Sequence, residues 1–197
     1  MLAAIDWNST AWQAPSTPDD LANAEFGFVA ENQLAYTALT FGHTEFPADD
    51  KGWYASFLPQ LYTKTINAET IASLKVVFIK SRNYHDGKTY IVGLYAFPVF
   101  QKSKKSSPIE SITHIIETNV KALPKDIHLL TNPVSLDDQA LLSSFLPKDK
   151  KIGKKTVNYL TKLNVEKILD AMTRLNPGDK QLSPIKMNLL RAIGNSW

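Results

Sequence analysis

Two apolar runs joined by a tight turn constrain this chain more than any other feature. Lys75-Val76-Val77-Phe78-Ile79 and Thr89-Tyr90-Ile91-Val92-Gly93-Leu94-Tyr95 are rich in β-branched and aromatic residues, and Asn83-Tyr84-His85-Asp86-Gly87-Lys88 lies between them. An Asp-Gly pair enters positive φ at low cost, so the pattern predicts an antiparallel hairpin. Upstream, Phe41-Gly42-His43-Thr44-Glu45-Phe46-Pro47 and Trp53-Tyr54-Ala55-Ser56-Phe57 add aromatic residues and a histidine to the same half of the chain. Aromatic faces stack on planar rings, which makes this half better suited to holding a flat ligand than to transforming one.

The rest of the chain divides around that hairpin. Residues 1–24, with Trp7, Trp12, Pro15, Pro18 and an Asp19-Asp20 pair able to cap a short helix, read as an irregular lead-in. From Phe26 to Phe100 the pattern is mainly strand, including the threonine- and aromatic-rich stretch Gln33 to Phe41, with a short helix expected over residues 66–74 behind Asn67. Gln101 to Ser107 reads as a mobile loop. Ile109, Ile112, Ile115 and Ile116 then fall at helical spacing between Pro108 and Val120, and Leu160, Leu163, Ile168, Leu169 and Met172 do so between Val157 and Leu175. Pro177-Gly178-Asp179 ends that pattern, and Ser183 is placed to cap a last helix beginning at Pro184. The expected class is α+β: a β-rich part over 25–100, a helix-rich part over 101–175, and a C-terminal helix or linker over 176–197.

Composition narrows compartment and chemistry. A chain of 197 residues, 44% hydrophobic, can bury one good core or two small ones. It has no cysteine, which removes disulfides, thiolate zinc sites and a thiol nucleophile together. No run approaches the roughly 18 apolar residues of a membrane span, and the start lacks a basic region ahead of a long apolar one, so the expectation is a soluble cytoplasmic protein without a membrane partner. The net charge of +3 is unevenly spread: residues 1–100 hold 6 Lys and Arg against 10 Asp and Glu, and residues 101–197 hold 16 against 9. Two clusters carry the excess, Lys102, Lys104 and Lys105, then Lys148, Lys150, Lys151, Lys154 and Lys155. They suit either a solvated surface or a nucleic-acid backbone.

Catalytic signatures are missing. His43, His85, His114 and His128 lack the i,i+4 spacing of a helical metal pair, and no phosphate-binding glycine loop, dinucleotide fingerprint or Gly-x-Ser-x-Gly elbow occurs. Asp49-Asp50-Lys51 and Glu166-Lys167 have the wrong order and spacing for an Asp…Glu-x-Lys nuclease. The reading is therefore of a binding domain with no cofactor and no metal, not an enzyme.

The order Phe41-Gly42-His43-x-Glu45-Phe46, then Gly52-Trp53-Tyr54-Ala55-x-Phe57, then the hairpin Val76 to Ile79 and Tyr90 to Phe97, resembles the EVE-like and YTH-like branch of the PUA superfamily. It is similar in particular to the DNA-reading domains at the N-terminus of McrB-type, modification-dependent restriction proteins, which Phe145-Leu146-Pro147 to Ile152-Gly153-Lys154 and Val157-Asn158-Tyr159-Leu160 also resemble. The resemblance implies a small, strongly curved, mainly antiparallel sheet or partial barrel with flanking helices over 25–175. It implies double-stranded DNA with a modified base flipped into a pocket, with an McrB-type NTPase and a nuclease subunit as partners elsewhere.

Such a pocket must return the few kcal/mol lost when a base leaves the stack. Trp53, Tyr54, Phe46 and Tyr95 are the candidate walls, His43, Glu45 and Asn158 the candidate groups for the base edge. Arg82 and the two lysine clusters are the candidate phosphate grips. Three alternatives stay open: an RNA-binding domain of the same superfamily, a scaffold domain whose aromatic surface is a protein interface, and an enzyme using His43 and Glu45 as an acid-base pair.

Overall fold

A computed structural model describes residues 1–63, 73–107, 115–138, 142–143, 152 and 157–194. The hairpin forms as the sequence predicts: β3 (Val76–Arg82) pairs antiparallel with β4 (Thr89–Ala96), and Gly87 sits at φ 72° in the turn between them. Val76 and Phe78 point to one side of the sheet, Val77 and Ile79 to the other, and all four are buried. A strand covered on both faces needs an unbroken apolar run, which is what this segment has.

Both faces are covered because the hairpin is the centre of three layers. β1 (Leu2–Ile5) adds to β3 in parallel and β7 (Ile127–Ser135) adds to β4 antiparallel, giving a mixed sheet in the order β1-β3-β4-β7. Against one face lie α4 (Lys162–Leu175) and α5 (Leu182–Gly194), whose Val165, Ile168, Leu169, Met172, Leu182, Ile185, Leu189 and Ile193 pack on Leu2, Phe78, Leu94 and Val134. Against the other lies a second, antiparallel sheet of three strands in the order β2-β6-β5: β2 (Tyr54–Ser56), β6 (Ile115–Ala122) and β5 (Val99–Ser106). Trp12, Phe41, Leu58 and Tyr54 fill the space between the sheets against Ala3, Val77, Ile79 and Tyr95. The chain crosses from the first sheet to the second at Phe97, held at φ 49°, and returns through the 3-10 turn Pro124–Asp126.

This α+β architecture corrects several expectations. The two sheets are separate and do not close into a barrel. Leu2–Ile5, placed by the sequence in an irregular lead-in, is an edge strand with all four residues buried. The short helix after it, α1 (Pro18–Ala22), is capped by Thr17, whose hydroxyl accepts from Asp20 N at 3.1 Å while the Asp20 carboxylate accepts from Thr17 N at 2.9 Å. Gln33 to Phe41 is not a strand: α2 (Gly27–Asn32) precedes it, Gln33 at φ 52° ends that helix, and turns follow. Val99–Ser106 is a strand rather than a mobile loop, and Ile115–Ala122 a strand rather than the end of a helix, so the part after Phe100 is not uniformly helical. The helix expected at 66–74 and the first half of that expected at 108–120 lie almost wholly outside the described residues. α4 starts later than expected, behind the Thr161 capping box, and Asp179 rather than Ser183 accepts from the first backbone amide of α5, Leu182 N, at 2.9 Å.

Candidate functional site

Of the seven residues expected to form the base pocket, the two tyrosines are interior. Tyr54 and Tyr95 are 2% and 1% exposed, and their hydroxyls donate to the carbonyls of Leu39, at 2.7 Å, and of Thr40. Burial pushes both phenols well above the ordinary tyrosine range. They pin the Thr37–Phe41 segment to the sheets and leave no ring face for a ligand. Phe46 packs partly buried beside them, in contact range of Gly42. His43, on the 3-10 turn Gly42–Thr44, is half-buried, its ring 6.0 Å from that of Tyr54. Its Nδ1 is buried with no hydrogen-bond partner among the described residues, and burial lowers its pKa below the ordinary imidazole value. Glu45 is exposed at the end of the turn.

Trp53 is half-buried, and the ammonium of Lys121 stands 5.6 Å over its ring while donating to Gln101 Oε1 at 2.7 Å. Asn158 is elsewhere: its backbone pairs with Leu2 along the outer edge of β1, and its Oδ1 accepts from Lys80 Nζ at 3.2 Å. His43, Phe46, Tyr54 and Tyr95 thus come together as packing, with Trp53 at the rim and Asn158 apart from them.

The expected phosphate grips divide likewise. Arg82 pairs with Glu25 at 3.0 Å and donates to Gly87 O, fastening the hairpin to the segment before α2. Lys105 folds back, its ammonium 3.2 Å from Ala55 O and 5.1 Å above the Tyr54 ring, and burial lowers its pKa. Lys102 and Lys104 are exposed on β5. Lys148, Lys150, Lys151, Lys154 and Lys155 lie outside the described residues.

The two exposed lysines flank a notch that the sequence does not announce. β2 pairs with β6 only as far as Ser56 opposite Val120, then leaves towards α3 (Pro59–Thr63). Asn119 takes over where the ladder stops: its Oδ1 accepts from Leu58 N at 2.7 Å and its Nδ2 donates to Leu58 O at 2.9 Å. On the other side of β6, the pairing with β5 slips between Phe100 and Ser103. A bulge of this kind re-aims side chains. The result is an open cavity of about 240 Å³ lined by Phe57, Lys102, Ser103, Lys104, Glu117, Thr118 and Asn119.

Aromatic rings lead out of it. Phe57 meets Tyr36 edge-on at 5.5 Å between centroids, and Tyr36 stacks on Phe28 at 5.4 Å and 29°. Phe28 is 48% exposed, so the ladder ends in solvent. Phe57 belongs to an aromatic segment visible in the sequence. Tyr36 falls in the stretch expected as a strand, Phe28 in the part expected to be mainly strand, and Glu117 in the stretch expected as a helix, so none of the three is expected to line a site.

Two further features lie apart from the notch. A groove of about 360 Å³ beside α4 is mainly apolar, lined by Leu74, Val76, Tyr159, Leu160 and Val165 with Lys75 and Lys162 among its residues. His128 is held between Asp179 Oδ2 at 2.8 Å on Nε2 and Gln181 Oε1 at 3.3 Å on Nδ1, which ties the α4–α5 connection to β7. Among the described residues no three His, Asp or Glu side chains are grouped to hold a metal ion, and no helix is long and apolar enough to cross a membrane. No family model, curated protein or solved structure matches the chain.

Proposed function

We propose that this protein binds nucleic acid, stacking an unpaired base at Phe57 in the β2-β5-β6 notch while Lys102 and Lys104 hold the adjoining phosphates. The observation that carries this is the ladder Phe28–Tyr36–Phe57 running from solvent into a cavity flanked by two exposed ammonium groups. Rings accept any base by its π-face, and lysines track a backbone without reading sequence. At about 240 Å³ the cavity is below the roughly 300 Å³ of a drug-sized site, which suits one planar ring better than an extended small molecule. The base is supplied by a single strand, or by a duplex from which it has been turned out. Reading of a modified base, as the resemblance implies, is the finer form of this proposal.

Fluorescence anisotropy tests it with four ligands at two salt concentrations: single-stranded DNA, single-stranded RNA, an unmodified duplex, and the same duplex methylated at adenine or cytosine. Binding should weaken with salt, and Phe57→Ala should cost roughly ten- to a hundredfold in affinity, the value of one stacked base. Lys102→Ala should weaken all ligands alike and reduce the salt slope by about one. A preference for the methylated duplex that Phe57→Ala removes would identify a modified-base reader. No binding at low salt, or binding indifferent to Phe57, would overturn the proposal and turn attention to a protein partner.

A further inference from the structure

Resting on that reading, we infer that Glu117 makes the notch selective for bases carrying an exocyclic amino group, so that among pyrimidines it takes cytosine over thymine and uracil. A carboxylate is out of place in a site built only for phosphate, because it repels the ligand that the neighbouring lysines attract. Glu117 nevertheless lines the cavity, on the strand between β2 and β5, with Lys102 and Lys104 around it.

Its own ion pair does not use it up. Lys104 Nζ stands 3.7 Å from Glu117 Oε1, beyond good hydrogen-bond range, and the Lys104 side chain is 71% exposed against 25% for Glu117. That ammonium is free to swing to a phosphate. Of the other polar groups lining the notch, both ends of the Asn119 amide are held by Leu58, while the Thr118 and Ser103 hydroxyls can donate as well as accept and so do not discriminate an amino group from a carbonyl. Glu117 is the carboxylate that lines the notch with Phe57, and it alone of these side chains accepts without being able to donate.

An ionised carboxylate only accepts hydrogen bonds. It is satisfied by the N4 amino group of cytosine and faces a carbonyl oxygen at the same position of thymine or uracil. Cytosine and thymine have rings of the same size, so stacking on Phe57 is closely matched between them and the difference falls mainly on the edge.

The test is anisotropy of the full chain with oligo-dC and oligo-dT of equal length, at neutral pH and one salt concentration, for the wild type, Glu117→Gln and Phe57→Ala. The wild type should bind oligo-dC about tenfold more tightly, the usual value of one good edge contact. Glu117→Gln, whose amide both donates and accepts, should bring the two affinities close together, chiefly by strengthening oligo-dT. A gain of affinity cannot arise from a protein that has failed to fold. Equal wild-type affinities, or a preference unchanged in Glu117→Gln, would overturn the selectivity while leaving the stacking site standing. Binding of neither oligomer, or binding of both that Phe57→Ala leaves intact, would overturn the site and the selectivity together.

Discussion

Lys80 is a charged residue with no exposed surface, on β3 between Ala4 of β1 and Ile91 of β4. Burial disfavours its ammonium and lowers its pKa from 10.5 to about 8, even with Asn158 Oδ1 at 3.2 Å. Between those two values the unfolded chain keeps a proton that the folded chain has released, so stability must rise with pH across the window and level off above it. Below pH 8 both states are protonated and the penalty, on the order of 3 kcal/mol, is fully present. Lys80→Met should therefore be more stable than the wild type at neutral pH, with the two urea-denaturation curves converging as pH approaches 10. The difference between the curves is the readout, because burial also lowers the pKa of Lys105. A constant difference across that range would show that Lys80 does not carry the effect. The sequence shows a lysine after four apolar residues, and such a lysine ordinarily marks the point where a strand reaches water. Here β1 adds to this edge of β3 and Asn158, paired with β1 in turn, meets the ammonium, neither of which is local in sequence. The same holds for Tyr54 and Tyr95: their membership of an aromatic β segment was legible, but whether a ring faces a ligand or the core depends on register and on which layer covers that face, neither of which is local.

At the scale of elements, what could be read was what local chemistry decides. The β3–β4 hairpin follows from its Asp-Gly turn, and α4 follows from its apolar spacing, its start being fixed by the Thr161 box. β6 differs from the expected helix because its isoleucines fit two periods: Ile112, Ile115 and Ile116 suit a helix, while Ile116, Thr118, Val120 and Ala122 alternate inwards as a strand. β5 differs from the expected loop because a lysine-rich edge strand has the composition of a loop, although charge along an edge is a common means of preventing strand-to-strand association. The notch was invisible for a related reason. It exists because β2 is only three residues long and Asn119 imitates the missing ladder partner, and nothing in the spacing of either segment reports that. Asn119→Ala should strand the buried N–H and C=O of Leu58 and cost on the order of 2–4 kcal/mol in urea unfolding. Asn119→Asp should be no rescue, since a carboxylate accepts from Leu58 N and then faces Leu58 O without a donor. A loss below about 1 kcal/mol in Asn119→Ala would mean that the ends of β2 and β6 hold together without this side chain.

For the whole molecule, the central sheet decides how stability is shared. Alternate residues of β3 serve different cores, Val76 and Phe78 with the helices, Val77 and Ile79 with the second sheet and Trp12. Neither core can be lost while β3 and β4 remain folded without exposing one full face of the sheet, so the two should melt as one unit. Leu189→Ala removes a wholly buried side chain from α5, on the helix side, where such truncations cost about 2–5 kcal/mol. The loss should nevertheless be felt on the opposite side. Far-UV circular dichroism follows the helices, and near-UV circular dichroism follows the rigid cluster of Trp7, Trp12, Phe41 and Tyr95, whose successive ring centroids lie 5.4 to 6.1 Å apart. In denaturant the two signals should share one midpoint in the wild type and move together in Leu189→Ala. If the near-UV signal outlasted the far-UV signal in the variant, the β2-β5-β6 layer would stand without the helices. The notch would then belong to a separable part, and ligand added in excess should delay only the near-UV transition. With one shared core sheet, ligand bound at the notch must raise both transitions equally, including that of helices it never touches.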